Sequence, residues 1–368
     1  MSGQWIGNFS GTNKGRALVE LDDRGDHLEG RAYAFSDDPQ LPSLVAWVRT
    51  PNKNDRFDLD LIVQPIVNGR MEDWDQIKGN FPNVTLSPHL KTSWDFSGDD
   101  LKLVWTTPIG TNGSAQLLRL PASDPSSRAP IADVKSWPQF REFAASLEPR
   151  RFVFRGQQSS KWKLVTAFHR HGRYDLMRFV QDDIPQLHGH LTGLTAHRFY
   201  IENDVENAAF HSLAQHHGYP TPLLDWTHSP YIAAFFAFRG VRKADQSAEK
   251  FARVFVFDLQ EWQNDHTRVQ MLTLTPPHLT FLKALALNNP RMIPQQALSS
   301  ITNLNDIEHF VDWEERQRSK TYLRVIDLPT TERSQVMQEL AMMGITAGSL
   351  FPGLDGACEQ MKEQNFEL

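Results

Sequence analysis

The sequence predicts an α+β protein, with an all-β barrel or sandwich at the N-terminus and a mixed α/β domain after it. The chain has 368 residues, which is more than one domain usually holds. Short apolar runs separated by turn residues fill residues 1–120, and the pattern becomes mixed after residue 130. Residues 121–130 are rich in proline and serine, as linkers are. We therefore predict a β-rich accessory or sensor domain at 1–120, a linker at 121–130 and a second domain at 131–368.

Several segments of the first domain have the composition of β-strands. They are Ala17–Leu21, His27–Phe35, Phe57–Val63, Leu101–Thr106 and Ala115–Leu120. The first two flank a turn at 22–26 and so predict a hairpin. The third begins by alternating polar and apolar residues, as a half-buried strand does. A closed barrel would leave no sheet edge exposed, but a sandwich satisfies the same pattern, and the sequence leaves both open.

One short segment of the first domain occurs twice. Gly11–Ala17 reads Gly-Thr-Asn-Lys-Gly-Arg-Ala, and Gly110–Ala115 reads Gly-Thr-Asn-Gly-Ser-Ala. Both copies run from a turn into a predicted strand. We interpret the resemblance as repeated turn chemistry, since asparagine and glycine favour turns.

The second domain alternates predicted helices with predicted strands. The helices are Ser136–Leu147, Tyr174–Asp183, Glu206–His217 and a last one that Thr331 caps and that runs through Met343. The strands are Arg151–Phe154, Arg253–Phe257 and Tyr322–Leu328. We expect the second helix to stop before Pro185, because proline interrupts a helix. Gly344 fits the C-terminal end of the last helix.

Composition excludes several classes of protein. The single cysteine, Cys358, rules out an intramolecular disulfide and a thiolate metal cluster. The net charge of −6 comes with no basic stripe, so we expect no nucleic-acid binding. The longest apolar run, Tyr231–Phe238, is far shorter than the ~20 residues of a membrane helix. The first residues show no basic region followed by an apolar stretch, so we expect a cytoplasmic protein.

The segment Phe152–Gln157 ends a predicted strand with an arginine and a glycine. Arg155 at such a position can present its planar guanidinium to a phosphate or a carboxylate. Gly156 would let a ligand approach the main chain closely. A surface ion pair at the end of a strand explains the same residues, and the motif alone leaves both interpretations open.

A second segment, from residue 213 to residue 230, places polar side chains, two internal prolines and a glycine between two helices. We predict a rigid loop at His216–Thr227 that holds a site. Ser229 would cap the next helix, with Pro230 at its first position. The alternative makes the apolar residues core and the histidines surface. A metal would need three or four converging ligands, and no His-Glu-x-x-His or Cys-x-x-Cys spacing occurs, so we predict no metal site.

Taken together, these motifs resemble the FRG domain, a largely bacterial family named after its first tripeptide. The matching segments are Phe154–Gly156, Gln215–Thr227, Ser229–Pro230 and Ala233–Ala237, and Ser349–Gly356 resembles the usual ending of FRG proteins. The long middle motif is the most specific of them. One departure is Pro222, where the family often has an arginine. The resemblance covers roughly residues 135–300 and leaves the N-terminal domain unassigned.

The FRG pattern is similar, more distantly, to ADP-ribosyltransferases, which implies NAD as co-substrate. Arg155 would then hold a ribose or phosphate, Gly156 the nicotinamide carboxamide, and Trp226 a wall of the pocket. Thr227, Ser229 and Phe236-Ala237 fit the order of the strand and helix that follow in those enzymes. The candidate NAD-binding residues are Arg155, Gly156, Gln157, His217, Asp225, Trp226 and Ser229. The candidate catalytic residues are Arg155, Thr227, Gln295 and Gln296.

The implied chemistry is loss of nicotinamide through a transition state with positive charge on the ribose, which a carboxylate can stabilise. Such transferases usually supply a glutamate on a late strand, where this chain has Gln295 and Gln296. The glutamates that follow, Glu308, Glu314 and Glu315, lie in a predicted helix. Asp225 is the one acidic residue of the core motif. We expect it to brace the pocket and not to act as the catalytic acid.

Two functions remain open at this point. The first is an NAD-dependent ADP-ribosyltransferase, a toxin or antiviral defence effector that modifies a macromolecular target. The second is a non-catalytic module that binds a nucleotide or a partner, with the β-domain as sensor. The missing glutamate favours the second, and the polar pocket motif favours the first.

Overall fold

The structure of the protein, a computed structural model, describes residues 2–120, 122–195 and 197–367. Its N-terminal part is built from strands: β1 (Gly3–Gly11), β2 (Gly15–Asp23), β3 (Leu28–Ser36), β4 (Ser43–Arg49), β5 (Arg56–Val67), β6 (Arg70–Met71), β7 (His89–Ser97), β8 (Asp100–Thr106) and β9 (Asn112–Arg119). One short helix, α1 (Trp74–Ile77), and a 3-10 turn at Lys78–Asn80 precede β7.

These strands form a closed antiparallel barrel. The order around it is β4-β3-β2-β1-β9-β8-β7-β5, and pairing of β4 with β5, from Ser43↔Ile66 to Ala46↔Val63, closes the ring. Eight strands of the described chain take part, and the short β6 extends β5 at the rim. The barrel alternative of the sequence prediction is therefore confirmed, as is the hairpin of β2 and β3.

The C-terminal part contains a second, open sheet. Its strands are β10 (Phe152–Gln157), β11 (Leu223–Thr227), β12 (Phe251–Asp258), β13 (Leu279–Leu282), β14 (Ala297–Thr302) and β15 (Leu323–Pro329). They lie side by side in the order β13-β14-β11-β10-β12-β15, each antiparallel to its neighbours. The predicted mixed architecture is thus confirmed at the level of helices around a second sheet.

Helices surround this sheet. They are α2 (Trp137–Ser146), α3 (Ala167–Arg170), α4 (Leu176–Arg178), α5 (Ile184–Thr192), α6 (Asp204–His216), α7 (Pro230–Arg239), α8 (Leu259–Asp265), α9 (Ile307–Arg318), α10 (Arg333–Met342), α11 (Ala347–Leu350) and α12 (Leu354–Lys362). Further 3-10 turns lie at Lys243–Asp245 and Thr330–Glu332, and π turns at Phe179–Asp183 and Glu363–Glu367.

Strand β12 shows how the sheet divides two hydrophobic cores. Successive side chains of a strand point to opposite faces. Val254 and Val256 accordingly pack with α2, α7 and α10 on one face. Phe255 and Phe257 pack with α8 and α9 on the other face. Because the strand is covered on both sides, it reads as a continuous apolar run and was predictable from sequence.

Two helix boundaries differ from the sequence predictions. The helical stretch around 174–183 does not stop before Pro185, because a π turn at Phe179–Asp183 leads directly into α5. Pro185 is the second residue of α5, immediately after the π turn, so the change from π to α geometry coincides with the proline. Thr331 does not cap α10 but lies within the 3-10 turn that precedes it.

Other local predictions are confirmed. The hydroxyl of Ser229 accepts a hydrogen bond from the backbone N–H of Ile232 and caps α7, whose first residue is Pro230. Gly344 follows α10 with a φ of 78°, a left-handed conformation that glycine adopts without strain. The loop prediction at 216–227 is wrong in its second half, because Leu223–Thr227 is strand β11.

The predicted linker is anchored to the C-terminal part. Pro121 lies outside the described residues, and 122–130 form no helix or strand. The hydroxyl of Ser126 donates to a carboxylate oxygen of Glu308 at 2.6 Å. Arg128 donates to Glu315 at 2.8 Å and to the carbonyl oxygen of Leu323 at 2.7 Å. The segment is therefore held at two side chains, and its role as a domain boundary stays a prediction.

The barrel contacts the C-terminal part through buried polar groups. The amide of Gln4 donates to Glu20 at 2.9 Å and to the carbonyl oxygen of Asn303 at 2.6 Å. Its own oxygen accepts from the backbone N–H of Asn305 at 3.0 Å. The side chain of Gln4 thus forms hydrogen bonds with the main chain at both ends of the segment 303–305.

A cluster of carboxylates lies at the same interface. Asp22 accepts hydrogen bonds from Arg173 Nε at 2.8 Å and from the backbone N–H of Tyr174 at 2.5 Å. Burial raises the pKa of Glu20 well above its usual range, and the negative charge of Asp175 raises it further. Burial also raises the pKa of Asp175, although Arg31 opposes the shift.

The raised pKa of Glu20 predicts that Glu20→Gln increases thermal stability by an amount that depends on pH. A carboxyl whose pKa is raised on folding stabilises the native state when protonated, and this contribution is lost as the pH rises. The amide keeps the shape without the charge. We expect the difference in melting temperature, variant minus native protein, to become more positive from pH 5 to pH 8. Thermal denaturation across this range measures it, with exposed Glu249→Gln as control. An equal difference at both pH values would contradict the assignment.

Candidate functional site

A cavity of about 590 Å³ opens where β10 and β11 diverge. The two strands pair only at Phe154↔Thr227 among the described residues, so the space beyond Phe154 is not closed by a ladder. The lining comes from β10 and β11, the segment 161–170, helix α7 and the residues just before β14. This volume lies within the range of small-molecule sites.

Arg155 reaches across the gap between the strands. Its Nη1 donates to the carbonyl oxygen of Asp225 at 2.6 Å, while its Nε is buried without a hydrogen-bond partner. No described carboxylate forms an ion pair with it. Burial lowers the pKa of the guanidinium to about 10, an effect that Asp225 opposes and Arg170 reinforces. Arg155 is therefore charged at neutral pH and carries an unsatisfied donor beside an open cavity.

The cavity is more cationic than the chain as a whole. Among the described residues that line it, the cations are Arg155, Lys161, Lys163 and Arg170, and the carboxylates are Asp124 and Asp225. Lys163 is already paired with Asp306 at 2.7 Å. In a protein of net charge −6, this local excess favours an anionic ligand.

Two buried glutamine amides also line the cavity. Gln157 is only 7% exposed, and its Oε1 has no hydrogen-bond partner, while its Nε2 donates to the carbonyl oxygen of Lys163 at 3.4 Å. Gln295, also 7% exposed, donates from Nε2 to the carbonyl oxygen of Leu350 at 3.0 Å. The unsatisfied oxygen of Gln157 can accept a hydrogen bond from a ligand, because buried polar groups are normally paired.

The carboxylate of Asp225 faces this space with a single weak partner. Its Oδ1 accepts from the hydroxyl of Ser299 at 3.2 Å. Arg155 binds the main-chain oxygen of Asp225 and not the carboxylate. The side chain of Asp225 is therefore available to a ligand, and its main chain positions the arginine.

His216 borders the cavity at the end of α6. Burial lowers its pKa, although Asp225 opposes the shift, so the ring is neutral at pH 7. Nδ1 accepts a hydrogen bond from the amide of Asn289 at 2.5 Å. The proton of the neutral ring is then on Nε2, which makes that atom a hydrogen-bond donor.

Comparison with known proteins identifies part of this site. Residues 150–246 match the FRG domain. The matched segment contains Phe154–Gly156, the motif at 215–227 and α7, so the resemblance to that family is confirmed here. No curated protein matches the chain. A solved structure of a redesigned beta barrel aligns with 32% of this chain and 90% of its own, at 17% identity and a TM-score of 0.21.

This cavity, called the FRG cavity below because the matched segment supplies most of its lining, contains most, but not all, of the residues expected from sequence. Those that line the cavity are Arg155, Gly156, Gln157, Asp225, Trp226, Thr227 and Gln295. Gln296 and His217 are exposed and do not line it. Ser229 caps α7 and is not part of the lining either. His216 occupies the place expected for His217, because the last turn of α6 directs adjacent residues to different sides.

Two of the lining residues have structural partners already. The hydroxyl of Thr227 donates to the carbonyl oxygen of Gln295 at 2.8 Å and accepts from the backbone N–H of Ser229 at 3.1 Å. The indole of Trp226 is buried among Phe257 and Phe281 and donates to Ser300 at 3.0 Å. Thr227 therefore holds the main chain just before β14 begins. The ring of Trp226 belongs to the core.

The missing side chain of Gly156 faces α7 and not the cavity. A Cβ at this position would overlap the carbonyl oxygen of Ala233 and lie 2.6 Å from the backbone nitrogen of Ala237. The packing of α7 thus already requires a glycine here, and close approach of a ligand to the main chain of Gly156 stays a prediction. The residue lets α7 lie directly on β10, although Gly156 itself still contributes to the cavity wall.

The glutamates beyond residue 300 serve other purposes. Glu308, Glu314 and Glu315 lie on α9, as predicted. Glu308 accepts from Ser126 and from the backbone N–H of Leu164. Glu314 accepts from His266 and Arg318, and Glu315 from Arg128. None of the described residues that line the FRG cavity is a glutamate.

Sequence reasoning missed several lining residues. Lys161, Trp162 and Arg170 follow β10 in a segment that carries no motif of its own. Phe351 lies in Ser349–Gly356, which the resemblance singled out without assigning a role. Its ring contacts Phe236 edge-on at 6.0 Å.

The described residues lack two other features. They contain no group of three or more His, Cys, Asp or Glu side chains arranged to hold a metal ion. They also include no helix with the length and apolar character needed to cross a membrane.

The packing of Gly156 predicts that Gly156→Ala destabilises the FRG domain. The added methyl group would force α7 away from β10, and overpacking of this kind costs about 1–3 kcal/mol or more. A melting curve of the variant should shift to lower temperature. Gly189→Ala is the control, because a Cβ there meets nothing within 4 Å. A native melting temperature together with lost ligand binding would show that Gly156 serves the ligand alone.

Proposed function

We propose that the FRG cavity binds NAD and that the protein transfers ADP-ribose from it to a macromolecular target, as a toxin or defence effector. The observation that carries the proposal is the guanidinium of Arg155, which is charged, partly buried and unpaired with any described carboxylate. A buried charge of this kind needs a counter-charge, and a phosphate supplies one.

The residues of the cavity suit the parts of NAD. Arg155, with Arg170 nearby, fits the pyrophosphate, because guanidinium groups bind phosphate oxygens through paired donors. The orphan Oε1 of Gln157 fits the N–H of the carboxamide. The exposed ring of Trp162 and the ring of Phe351 offer aromatic surfaces for the bases.

Bound NAD supplies a glycosidic bond whose cleavage places positive charge on the ribose while nicotinamide leaves with the bonding electrons. The carboxylate of Asp225 would stabilise that charge, as carboxylates do in glycoside hydrolysis. Nε2–H of His216 is a neutral donor at the same wall. A nucleophilic oxygen or nitrogen of the target then bonds to the ribose carbon and loses its proton.

This proposed role of Asp225 departs from the sequence expectation, which had the residue brace the pocket without acting in catalysis. Bracing is performed by its main-chain oxygen, which holds Arg155 and which any residue would provide. The side chain has one hydrogen bond, from Ser299. A carboxylate so lightly held can respond to charge that develops on a ligand.

One observation favours a second function, a non-catalytic module that binds a nucleotide or a partner. None of the described lining residues is the glutamate that such transferases usually supply. The cationic lining and the orphan donor would serve binding alone equally well. The two functions differ in whether NAD is consumed.

Incubation of the purified protein with NAD labelled on its adenine phosphate, in the presence of cell lysate, separates these functions. Label transferred to protein or nucleic acid supports the transferase. Label released as free ADP-ribose indicates a hydrolase. Saturable binding of intact NAD without turnover supports the binding module, and no binding at all contradicts both.

Arg155→Ala is expected to weaken NAD binding without unfolding the protein. Loss of a charge-assisted hydrogen bond costs about 1.5–3 kcal/mol, or roughly 10- to 150-fold in Kd. Isothermal titration calorimetry measures the affinity, and a melting curve checks the fold. Arg242→Ala is the matched control, because Arg242 pairs with Asp245 on the surface outside the cavity. A collapse of thermal stability with unchanged affinity would make Arg155 a structural residue.

Asp225→Asn is expected to lower turnover while leaving NAD binding close to native. The amide keeps the shape and the main-chain bond to Arg155 but removes the charge, at a cost of roughly 100-fold or more in kcat. Ser299→Ala removes only the hydrogen bond to the carboxylate and should cost far less. A double change, Gln295→Ala with Gln296→Ala, tests the amides. Full turnover in Asp225→Asn and loss in the double variant would transfer the catalytic role to the amides.

A further inference from the structure

The inside of the N-terminal barrel is filled at one end and open at the other. Large buried side chains occupy the filled end: Trp5, Leu21, Leu28, Phe96 and Leu117. A cavity of about 190 Å³ occupies the open end. Interior positions around it carry alanine: Ala17, Ala32, Ala34, Ala46 and Ala115. Barrels of this size are normally filled by side chains, so the residue choice itself leaves the space.

The wall of this cavity is apolar and aromatic. Phe9, Trp94 and Trp105 line it, and the rings of Phe9 and Trp105 meet edge-on at 5.9 Å. The indole N–H of Trp94 already donates to Thr92 at 2.8 Å and needs no further partner. None of the described residues that line the cavity carries a charge.

The segment that occurs twice in the sequence contributes to the open end of the cavity, together with loop residues 41–42 and 84–87. Each copy supplies a threonine, an asparagine and its final alanine to the lining: Thr12, Asn13 and Ala17, and Thr111, Asn112 and Ala115. The copies lie side by side because β1 pairs with β9. Their turns are also bonded, with the backbone N–H of Asn112 donating to the hydroxyl of Thr12 at 3.0 Å. The repeat thus places neutral polar groups at the entrance to an apolar interior.

We propose that the barrel is a binding site for a small uncharged molecule with an aromatic or branched apolar body and a neutral polar group at the mouth. An apolar body gains from leaving water, and an engineered cavity of about 150 Å³ suffices to bind benzene. A charged group would lose its hydration with no counter-charge in the wall. The hydroxyl and amide groups of the repeat fit a hydroxyl or carbonyl of the ligand.

The probe for this site is 1-naphthol, which has two fused apolar rings and one hydroxyl. Titration of the full-length protein by calorimetry should give saturable binding at one site and raise the melting temperature. The control ligand is 1-naphthyl phosphate, which has the same body with a charged head and should displace bound 1-naphthol at least about tenfold less effectively than unlabelled 1-naphthol does. Displacement is measured because the cationic cavity of the C-terminal part could bind the phosphate separately. Absence of saturable binding by 1-naphthol, or equally effective displacement by the phosphate, overturns the proposal.

Variants locate the site. Ala115→Val and Ala46→Val place extra methyl groups in the cavity, reduce its free volume and should each weaken naphthol binding about tenfold. Val48→Ala, at the filled end, should lower the melting temperature and leave the affinity within about twofold. Arg155→Ala should leave it unchanged, which separates this site from the FRG cavity. Native affinity in both valine variants, with native folding, also overturns the proposal.

Discussion

The hydrogen bond from Arg155 to the main-chain oxygen of Asp225 is the interaction on which the candidate site depends. It replaces the ladder that β10 and β11 lack beyond Phe154. A guanidinium is long and rigid enough to span two strands that have separated, and it remains charged while doing so. The gap therefore keeps a fixed width, and a positive charge stands at its edge. A shorter or neutral side chain would either close the gap or leave it uncharged.

The rest of the C-terminal part holds this gap in place. Gly156 brings α7 onto β10 from one face, and the ring of Trp226 anchors β11 in the core on the other face. Thr227 ties the start of β14 to β11 through Gln295. The polar residues of the cavity are thus mounted on strands that are covered by apolar side chains, which favours a preformed site over one that forms on binding.

The sequence predicted those features that depend on neighbouring residues. The run Arg253–Phe257 predicted a buried strand. Ser229 with Pro230 predicted the start of α7. Strand β11 was not predicted, because it has only five residues and follows two prolines, which indicate a loop. Closure of the barrel rests on the pairing of β4 with β5, and no local pattern encodes which strands meet.

The candidate site was predictable to a similar extent. Arg155 and Asp225 belong to one motif and could be recognised from residue type alone. Arg170 and Phe351 could not, because each enters the cavity through the path of the chain and not through a local signal. The choice of His216 over His217 required the phase of α6, which shifts with a single residue at the helix end.

The contribution of Phe351 determines when, during synthesis of the chain, the pocket can form. The cavity wall combines strands near residue 155 with a ring that is synthesised almost two hundred residues later, and Gln295 is held by the main chain of Leu350. When the ribosome adds residue 300, the barrel, Arg155 and Arg170 have already been synthesised. The pocket still lacks the wall that Phe351 provides. The finished site exists only after residue 351 has been added and α11 has folded against it. A chain that is interrupted before that point contains the whole matched segment, residues 150–246, and still has an incomplete pocket.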